Sequence, residues 1–269
     1  MNNDSLPSVY FKGIKISNID LIGVMERIDS VLVSNERGYI CVNDTNNIIL
    51  ATKDRLMAQA VRESLISIAD GTPLAWYAHS VGCRKIERIS GMDLMVSFFA
   101  TGNRYKHFLL GDTEQTTSRV INKAKSMNNG IQIMGHNPPF KEFDDNDNQK
   151  ILEMLNMENP DIIWVSFGGG KQEKWMYSNI HKLNRGVMVG IGAAFKWYLG
   201  DIRTPPKIIQ KMGMQWAFRV VPAFFRAPVK NWKKIRTGLA RKIVFAAYFP
   251  WEVLRHRKSA RDLLPVTRK

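Results

Sequence analysis

Several features are scarce or missing in this 269-residue chain, and each absence narrows what the protein can be. Its two cysteines, Cys41 and Cys83, form no Cys-x-x-Cys pair, which indicates reduced thiols in a cytosolic protein. Five scattered histidines show no metal-ligand spacing, and we expect no metal site. No apolar run is long enough to span a bilayer. The opening segment, residues 1–13, has no apolar stretch, so we expect no signal peptide.

The familiar phosphate-binding motifs are missing as well. Residues 168–170 are three glycines followed by lysine, but a Walker loop needs Ser or Thr next, and Gln172 stands there. A dinucleotide-binding fingerprint that begins at the same glycines needs another glycine at the position of Glu173. The later Gly-Ile-Gly at residues 190–192 fails in the same way at Phe195.

The most informative segment that the chain does contain is DIIWVSFGGGKQEKW, residues 161–175. An apolar run ends at the three glycines and a polar run follows, which is typical of a buried parallel strand that turns into a helix. Glycines let a ligand approach the backbone, and a helix N-terminus favours an anion. The segment predicts a phosphate or diphosphate at Gly168, Gly169 and Lys171. A tight turn without a ligand stays open as the alternative.

Short apolar segments alternate with helical patterns over the first two hundred residues or so. This alternation predicts an α/β fold with a doubly wound, mostly parallel sheet. We expect a first strand over residues 9–16 and one continuous helix over residues 47–62. Ligands bind such sheets outside the carboxyl ends of the strands. That rule gathers five segments on one edge: residues 43–46, 70–71, 111–112, 168–173 and 192–193.

Positive charge is concentrated at one end of the chain. The net charge is +15; residues 207–269 hold 16 Lys and Arg against two acids, and the first 206 residues are nearly neutral. We therefore divide the chain into an α/β domain, 1–206, and a basic, amphipathic, helical C-terminal appendage, 207–269. Its cations are interleaved with Trp, Phe and Tyr, which favours contact with an anionic membrane surface. Ordinary helices packed on the body stay open as the alternative.

Three charged features are candidates for chemistry. Asp70 follows an apolar strand, and both a general base and a cap for the next helix fit that place. The acidic run at residues 144–147 contains an Asp-x-Asp pattern, but we expect it to cap a helix rather than to bind a metal. Arg88 is placed to clamp phosphate oxygens, with an ion pair to Glu87 or Asp93 as the alternative.

Several segments, in this order, resemble the WecG/TagA/CpsF family of bacterial glycosyltransferases, glycosyltransferase family 26. The most specific are Lys-Gln-Glu-Lys-Trp at 171–175 and Gly-Ile-Gly-Ala-Ala-Phe at 190–195. The resemblance covers about residues 8–230, and the chain departs from it at Gly170, often Pro in the family, and Lys196, often Asp. The other matching positions are Asn46, Ala69-Asp70-Gly71, Glu87-Arg88, Gly91-Met92-Asp93-Leu94, Phe108-Leu109-Leu110-Gly111, Pro160-Asp161-Ile162, Gly213, Trp216, Arg219 and Arg226.

The resemblance implies a Rossmann-like domain whose appendage docks at a membrane. It implies an inverting, metal-independent transfer of a sugar from a UDP donor to a polyprenyl-diphosphate-linked saccharide, in surface-polysaccharide biosynthesis and without a cofactor. N-acetylmannosamine-type sugars and glucose both stay open as the transferred group. The enzyme is expected in the cytoplasm, attached peripherally to the inner face of the cell membrane. A homo-oligomer stays open.

The resemblance also assigns roles to residues. Asp70 is implied to be the base that deprotonates the acceptor hydroxyl. Arg219 and Arg226 are implied to reach from the appendage toward the diphosphate. The expected substrate-binding residues are Thr45, Asn46, Arg88, Gly168, Gly169, Lys171, Gln172, Gly192, Arg219 and Arg226.

Two other classes of protein remain as rivals. The basic appendage would also bind a nucleic-acid backbone, but the body has no motif that reads nucleic acid, so we expect no such partner. A nicotinamide-dependent oxidoreductase would use the same kind of sheet, and the failed dinucleotide fingerprint argues against it.

Overall fold

The chain begins with a hairpin rather than with the single strand predicted over residues 9–16. This computed structural model describes residues 6–139, 144–203, 206, 209 and 228–262, with side chains over 236–257 of the last stretch. Strands β1 (Ser8–Phe11) and β2 (Ile14–Ser17) are antiparallel. Lys12 and Gly13 between them have φ angles of 49° and 80°. Two positive φ angles in a two-residue loop reverse the chain, so the one-strand prediction was wrong.

Six parallel strands form the central sheet, and the predicted Rossmann-like α/β fold is confirmed. Their spatial order is β4-β3-β8-β7-β5-β6, with β4 at one edge and β6 at the other. In chain order they are β3 (Arg37–Asn43), β4 (Ile66–Ala69), β5 (Lys106–Gly111), β6 (Gln132–His136), β7 (Ile162–Ser166) and β8 (Gly186–Gly190).

Helices cover both faces of the sheet, and for this reason the inner strands are apolar throughout. In β7, Ile162 and Trp164 pack into the core on one face, while Ile163 and Val165 pack into the core on the other. All four side chains are fully buried. Each such burial contributes about 2 kcal/mol relative to exposure, so the sheet is held rigidly between two cores.

The helix predicted over residues 47–62 is broken in two. Asp54 accepts a hydrogen bond from the Met57 amide and so begins a separate helix, as Asp does well at an N-cap. The described helices are α1 (Leu21–Val33), α2 (Thr45–Ala51), α3 (Arg55–Glu63), α4 (Thr72–Ser80), α5 (Gly91–Phe99), α6 (Glu114–Met127), α7 (Asp145–Glu158), α8 (Lys171–Asn179), α9 (Ala194–Leu199) and α10 (Pro228–Asp262).

The long helix α10 packs on the hairpin and on α4. Phe245 stacks on Phe11 with ring centroids 4.4 Å apart, and Phe249 meets Tyr77 edge-on at 5.8 Å. The carboxylate of the buried Glu252 accepts a hydrogen bond from the Lys12 backbone amide. This part of the chain is therefore anchored to the body, and the division at residue 206 stays a proposal. None of the described helices is long and apolar enough to cross a membrane.

Candidate active site

A cavity of about 340 Å³, here called the Asp70 cavity, opens where the carboxyl ends of β3, β4, β7 and β8 meet. It lies at the edge of a parallel sheet where ligands are expected to bind. Its walls come from five loops and from α2, α5, α8 and α9. The charged and polar lining residues are Asp44, Asn47, Asp70, Arg88, Ser90, Asp93 and Gln172.

Five of the residues predicted from the sequence come together in this cavity. They are distant in the chain, and the parallel sheet brings them to one edge because each follows the carboxyl end of a strand or precedes a neighbouring helix. The five are Asp70, Arg88, Gly169, Gln172 and Gly192.

Other predicted residues lie elsewhere. Thr45 is buried in the first turn of α2, and the Asn46 amide donates to Asp44 at 3.1 Å. Asp44 and Asn47 line the Asp70 cavity. The sequence placed residues 43–46 at this edge without choosing Asp44 as a binding residue, and it missed Asn47. The polar run on either side of Thr45 offered no periodicity that could fix which of its side chains face a ligand. Arg219 and Arg226 fall outside the described residues.

A second cavity of about 640 Å³, here called the Trp175 cavity, lies on the other side of the glycine turn. It opens at the carboxyl ends of β5, β6 and β7. Lys171, predicted as a donor contact, lines this cavity and not the first. Its other charged lining residues are Asp112, Asp144, Asp145, Lys174 and Lys182.

The glycine turn between the two cavities needs its glycines for different reasons. Gly168 and Gly170 have φ angles of 87° and 85°, a conformation that glycine adopts without strain. A Cβ on Gly169 would lie 2.5 Å from Oδ1 of Asn47, so a side chain there would push Asn47 out of the cavity wall. The turn therefore brings its backbone directly against a lining side chain.

Three amides at the end of this turn and the start of α8 are already engaged within the chain. The Gly170 amide donates to Oε2 of Glu173 at 2.6 Å. The amides of Lys171 and Gln172 both donate to the Gly168 carbonyl, at 3.2 and 3.1 Å. The Glu173 carboxylate thus lies at the N-terminus of α8, where the sequence predicted a phosphate. We therefore expect side chains to contribute more to anion binding than the amides of this helix.

The three carboxylates of the Asp70 cavity have different structural roles. Asp44 is the N-cap of α2 and accepts from the Asn47 amide at 2.9 Å. Asp93 forms a capping box with Ser90 at the start of α5. Asp70, in contrast, lies one residue before Gly71, which occupies the N-cap position of α4. The capping role considered for Asp70 therefore falls to Gly71.

Arg88 is the cation among the described residues that line this cavity, and Asp44, Asp70 and Asp93 are the three carboxylates. Its Nη2 lies 3.9 Å from Oδ2 of Asp93, a long ion pair at a partly exposed position. The described wall is thus net negative. A diphosphate in this cavity would need cations in addition to Arg88.

The Gln172 side chain is fixed at both ends. Its Oε1 accepts from the Gly192 amide at 3.1 Å, and its Nε2 donates to Oε1 of Glu173 at 2.9 Å. A Cβ on Gly190 would lie 2.9 Å from that Nε2, so a glycine is needed to make room for the amide. Gln172 is only 2% exposed, yet it lines the cavity in one defined orientation.

Two further sequence expectations concern the rim of the Trp175 cavity. Asp144 is the N-cap of α7 and accepts from the Asp147 amide at 2.7 Å, so the acidic run does cap a helix. Lys196, where the resembling family often has Asp, forms an ion pair of 3.3 Å with Asp112. Both features give the charges of this cavity a structural role.

A doubly wound parallel sheet with a carboxylate, an arginine and a glycine turn around a cavity at its strand ends is typical of the α/β enzymes, which bind ligands at that edge. The model of the Glycosyl transferase WecG/TagA/CpsF family matches residues 9–259, and the chain belongs to this family. It is a glycosyltransferase.

The chain is similar to several curated proteins. Three of them are named N-acetylglucosaminyldiphosphoundecaprenol N-acetyl-beta-D-mannosaminyltransferase, from Staphylococcus aureus strains MW2, NCTC 8325 / PS 47 and COL. Each is 22% identical over 227 residues, which cover 83% of this chain and 85% of the relative.

Proposed function

We propose that this enzyme transfers a sugar from a UDP-sugar to a polyprenyl-diphosphate-linked saccharide, with inversion and without a metal ion, in the synthesis of a surface polysaccharide. The relatives' names favour an N-acetylmannosamine-type sugar over glucose. The observation that carries the proposal is the position of Asp70: it follows β4, lines the cavity, and precedes a helix whose N-cap is Gly71.

The proposed base is Asp70. An inverting transfer needs one group that removes the proton of the acceptor hydroxyl while that oxygen attacks the anomeric carbon opposite the leaving UDP. Asp44 and Asp93 are less suited, because each holds a helix N-terminus through its oxygens. The Asp70 carboxylate and the Arg88 guanidinium line the same cavity, and we assign the first to the acceptor side and the second to the leaving-group side.

The leaving UDP must be stabilised as negative charge develops on it. We assign this to Arg88, with Gln172 and the backbone of Gly169 and Gly192 lining the donor cavity. One arginine does not balance the described carboxylates and a diphosphate, so Arg219 and Arg226 are retained as proposed diphosphate contacts. Lys171 is retained only for a part of a substrate that extends into the Trp175 cavity. In this proposal the walls of the Asp70 cavity are supported from behind by Thr45, Asn46 and Gly168.

We place the acceptor side at a membrane because of α10. Leu239, Ile243, Trp251 and Leu254 are exposed, and their spacing puts them on one side of the helix. Phe245 and Phe249 face the body on the opposite side. An exposed apolar stripe on a basic helix matches the headgroup layer of an anionic bilayer. The enzyme would then bind peripherally at the inner face, where a lipid-linked acceptor is within reach.

Turnover with purified substrates tests the reaction. The wild-type enzyme is incubated with UDP-N-acetylmannosamine, UDP-N-acetylglucosamine or UDP-glucose and an undecaprenyl-diphosphate-linked N-acetylglucosamine acceptor, with and without EDTA. We expect acceptor-dependent UDP release with one donor, unchanged by EDTA, and a product of inverted anomeric configuration by NMR. Loss of turnover in EDTA, or a retained configuration, would contradict the mechanism.

Vesicle binding tests the membrane contact. We expect sedimentation with phosphatidylglycerol vesicles and much less with phosphatidylcholine vesicles. Replacing both Trp251 and Leu254 by serine should lower the partition coefficient at least about tenfold, because two large apolar side chains no longer enter the headgroup layer. Val33→Ser is the matched control, since Val33 is 87% exposed on α1 of the body. An equal loss in this control would show that the α10 stripe has no special role.

A further inference from the structure

Glu173 is a buried carboxyl group for which neither the sequence nor the proposed reaction supplies a role. It lies in the first turn of α8, its exposure is 0%, and it does not line either cavity. A carboxyl group that is fully removed from water is costly unless donors surround it. Its contacts therefore indicate what it does.

Three donors from separate parts of the site converge on this carboxyl group. Oε2 accepts from the Gly170 amide at 2.6 Å, and Oε1 accepts from Gln172 Nε2 at 2.9 Å. The Asn47 Nδ2 group lies at 3.5 Å from the same Oε1. The three donors belong to the glycine turn, to α8 and to α2. Gln172 and Asn47 both line the Asp70 cavity.

The chemistry of these groups sets the orientation of Gln172. An ionised carboxylate only accepts hydrogen bonds, so Gln172 must turn its Nε2 toward Glu173. The Gly192 amide only donates, so the same side chain must turn its Oε1 toward Gly192, at 3.1 Å. One N–H and one lone pair of Gln172 then remain for a ligand, in positions fixed by the two protein partners.

We propose that Glu173 is a positioning residue: its buried carboxylate locks Gln172, Asn47 and the glycine turn into the arrangement that receives the donor. The description of that ligand as a UDP-sugar rests on the proposed function. The locking itself concerns only the chain and is testable without any ligand. A protonated carboxyl group would turn an O–H either toward the Gly170 amide at Oε2 or toward the Gln172 and Asn47 amides at Oε1, so the ionised form is the one that accepts from all three donors.

Glu173 ionises within the pH range of ordinary assays. Burial raises its pKa to about 7, the negative charge of Asp44 adds to the rise, and the hydrogen bonds from Gln172 and Gly170 oppose it. Cys41 on β3 also faces this carboxyl group, and burial keeps the pKa of its thiol well above the usual value, so it stays neutral. Lys174 of α8 is paired with Asp54 at 2.9 Å. The lock is thus expected to form as the pH rises through about 7.

Hydrogen exchange at the Gly192 amide tests the lock without ligand. In the wild-type protein we expect its protection factor to rise by about tenfold between pH 6 and pH 8, after correction for the intrinsic rate. In Glu173→Gln we expect low protection at both pH values. The control is Glu153→Gln, an exposed Glu on α7, which should behave as the wild type. A Gly192 protection that does not depend on pH in the wild-type protein would overturn the proposal, even if Glu173→Gln failed to fold.

Donor affinity gives the second readout, with UDP-N-acetylmannosamine as the probe. We expect the affinity of wild type over that of Glu173→Gln to rise from about one at pH 5.5 to about ten at pH 8.5. An equal ratio at both pH values would assign Glu173 a merely structural role and overturn the proposal. If the wild-type protein bound no UDP-sugar at any pH, the proposed function would fail, while the Gly192 exchange would still decide the role of Glu173.

Discussion

The Asp70 cavity and the Trp175 cavity lie on the two sides of one glycine turn, and they differ in what their charges do. The Trp175 cavity is the larger, at about 640 Å³ against 340 Å³, and holds three lysines. Three of the six charged residues that line it in the described part of the chain have structural roles: Lys174 pairs with Asp54, Asp112 pairs with Lys196, and Asp144 caps α7.

In the smaller cavity the polar groups are held in place by other residues. Gln172 is fixed by Glu173 and Gly192, and the backbone of Gly169 lies directly against Asn47. Catalysis requires groups that are preorganised before the substrate arrives. We therefore base the proposed active site on the fixed geometry around Asp70, and not on the volume of a cavity or on its number of charges.

The strongest test of this contrast is a pair of isosteric substitutions, one in each cavity. Asp70→Asn should lower kcat by about a thousandfold, because a positioned general base contributes roughly that much and an amide cannot accept the proton. Asp145→Asn, in the Trp175 cavity, should stay within about twofold of the wild-type rate. Initial rates of UDP release check both, and comparable losses in the two variants would erase the distinction between the cavities.

The second test concerns the loss of folding stability when the buried Glu173 ionises. Its folded pKa of about 7 lies above the unfolded value near 4.5, so the folded protein holds this proton more tightly. The stability that this proton contributes is therefore fully present below about pH 4.5. It is lost as the pH rises through 7, by about 3 kcal/mol in total. Glu173→Gln cannot ionise. Between pH 5 and pH 8 the free energy of unfolding of the wild type should therefore fall by about 3 kcal/mol relative to that of the variant.

Urea unfolding at several pH values measures this difference, with Glu153→Gln as the control, since an exposed carboxylate should follow the wild type. Parallel pH profiles for wild type and Glu173→Gln would mean that Glu173 is ionised without strain. The Asp70 cavity would then lack the pH-dependent fixing of its wall by Glu173, which distinguishes it from the Trp175 cavity.

The third and smallest test compares two cations. Arg88→Gln removes charged hydrogen bonds to the diphosphate, each worth about 2 kcal/mol, and should raise the KM for the donor by about thirtyfold. Lys182→Gln removes a cation from the Trp175 cavity and should change KM less than twofold. Steady-state kinetics with varied donor concentration separate the two. A larger effect from Lys182 would move the donor to the other side of the glycine turn.

Much of the fold could be predicted from the sequence because its signals are local. Apolar strands bounded by Gly-rich or Asp-rich turns predicted the parallel sheet. The position of Asp70 at the edge of the sheet followed from its place directly after a strand. The hairpin was missed because its turn, Lys12-Gly13, is only two residues long and has strand-forming residues on both sides. The break between α2 and α3 was missed because it depends on the Asp54 cap.

The candidate site could be predicted only where one residue type was decisive. Glycines and an arginine next to strand ends were found. Asp44 was placed at the edge only as part of the segment 43–46, and Asn47 was missed, because the register of a polar loop depends on contacts across the sheet edge. Glu173 was missed for the same reason. Its partners Gly170, Gln172 and Asn47 converge only when α2 packs beside α8.

The most direct measurement is a structure of the enzyme with a bound UDP-sugar. The account predicts that the sugar and diphosphate lie in the Asp70 cavity, with the diphosphate beside Arg88, the Gln172 amide against the donor, and the anomeric carbon facing Asp70. A donor bound in the Trp175 cavity, beyond the glycine turn and against the lysines, would contradict it.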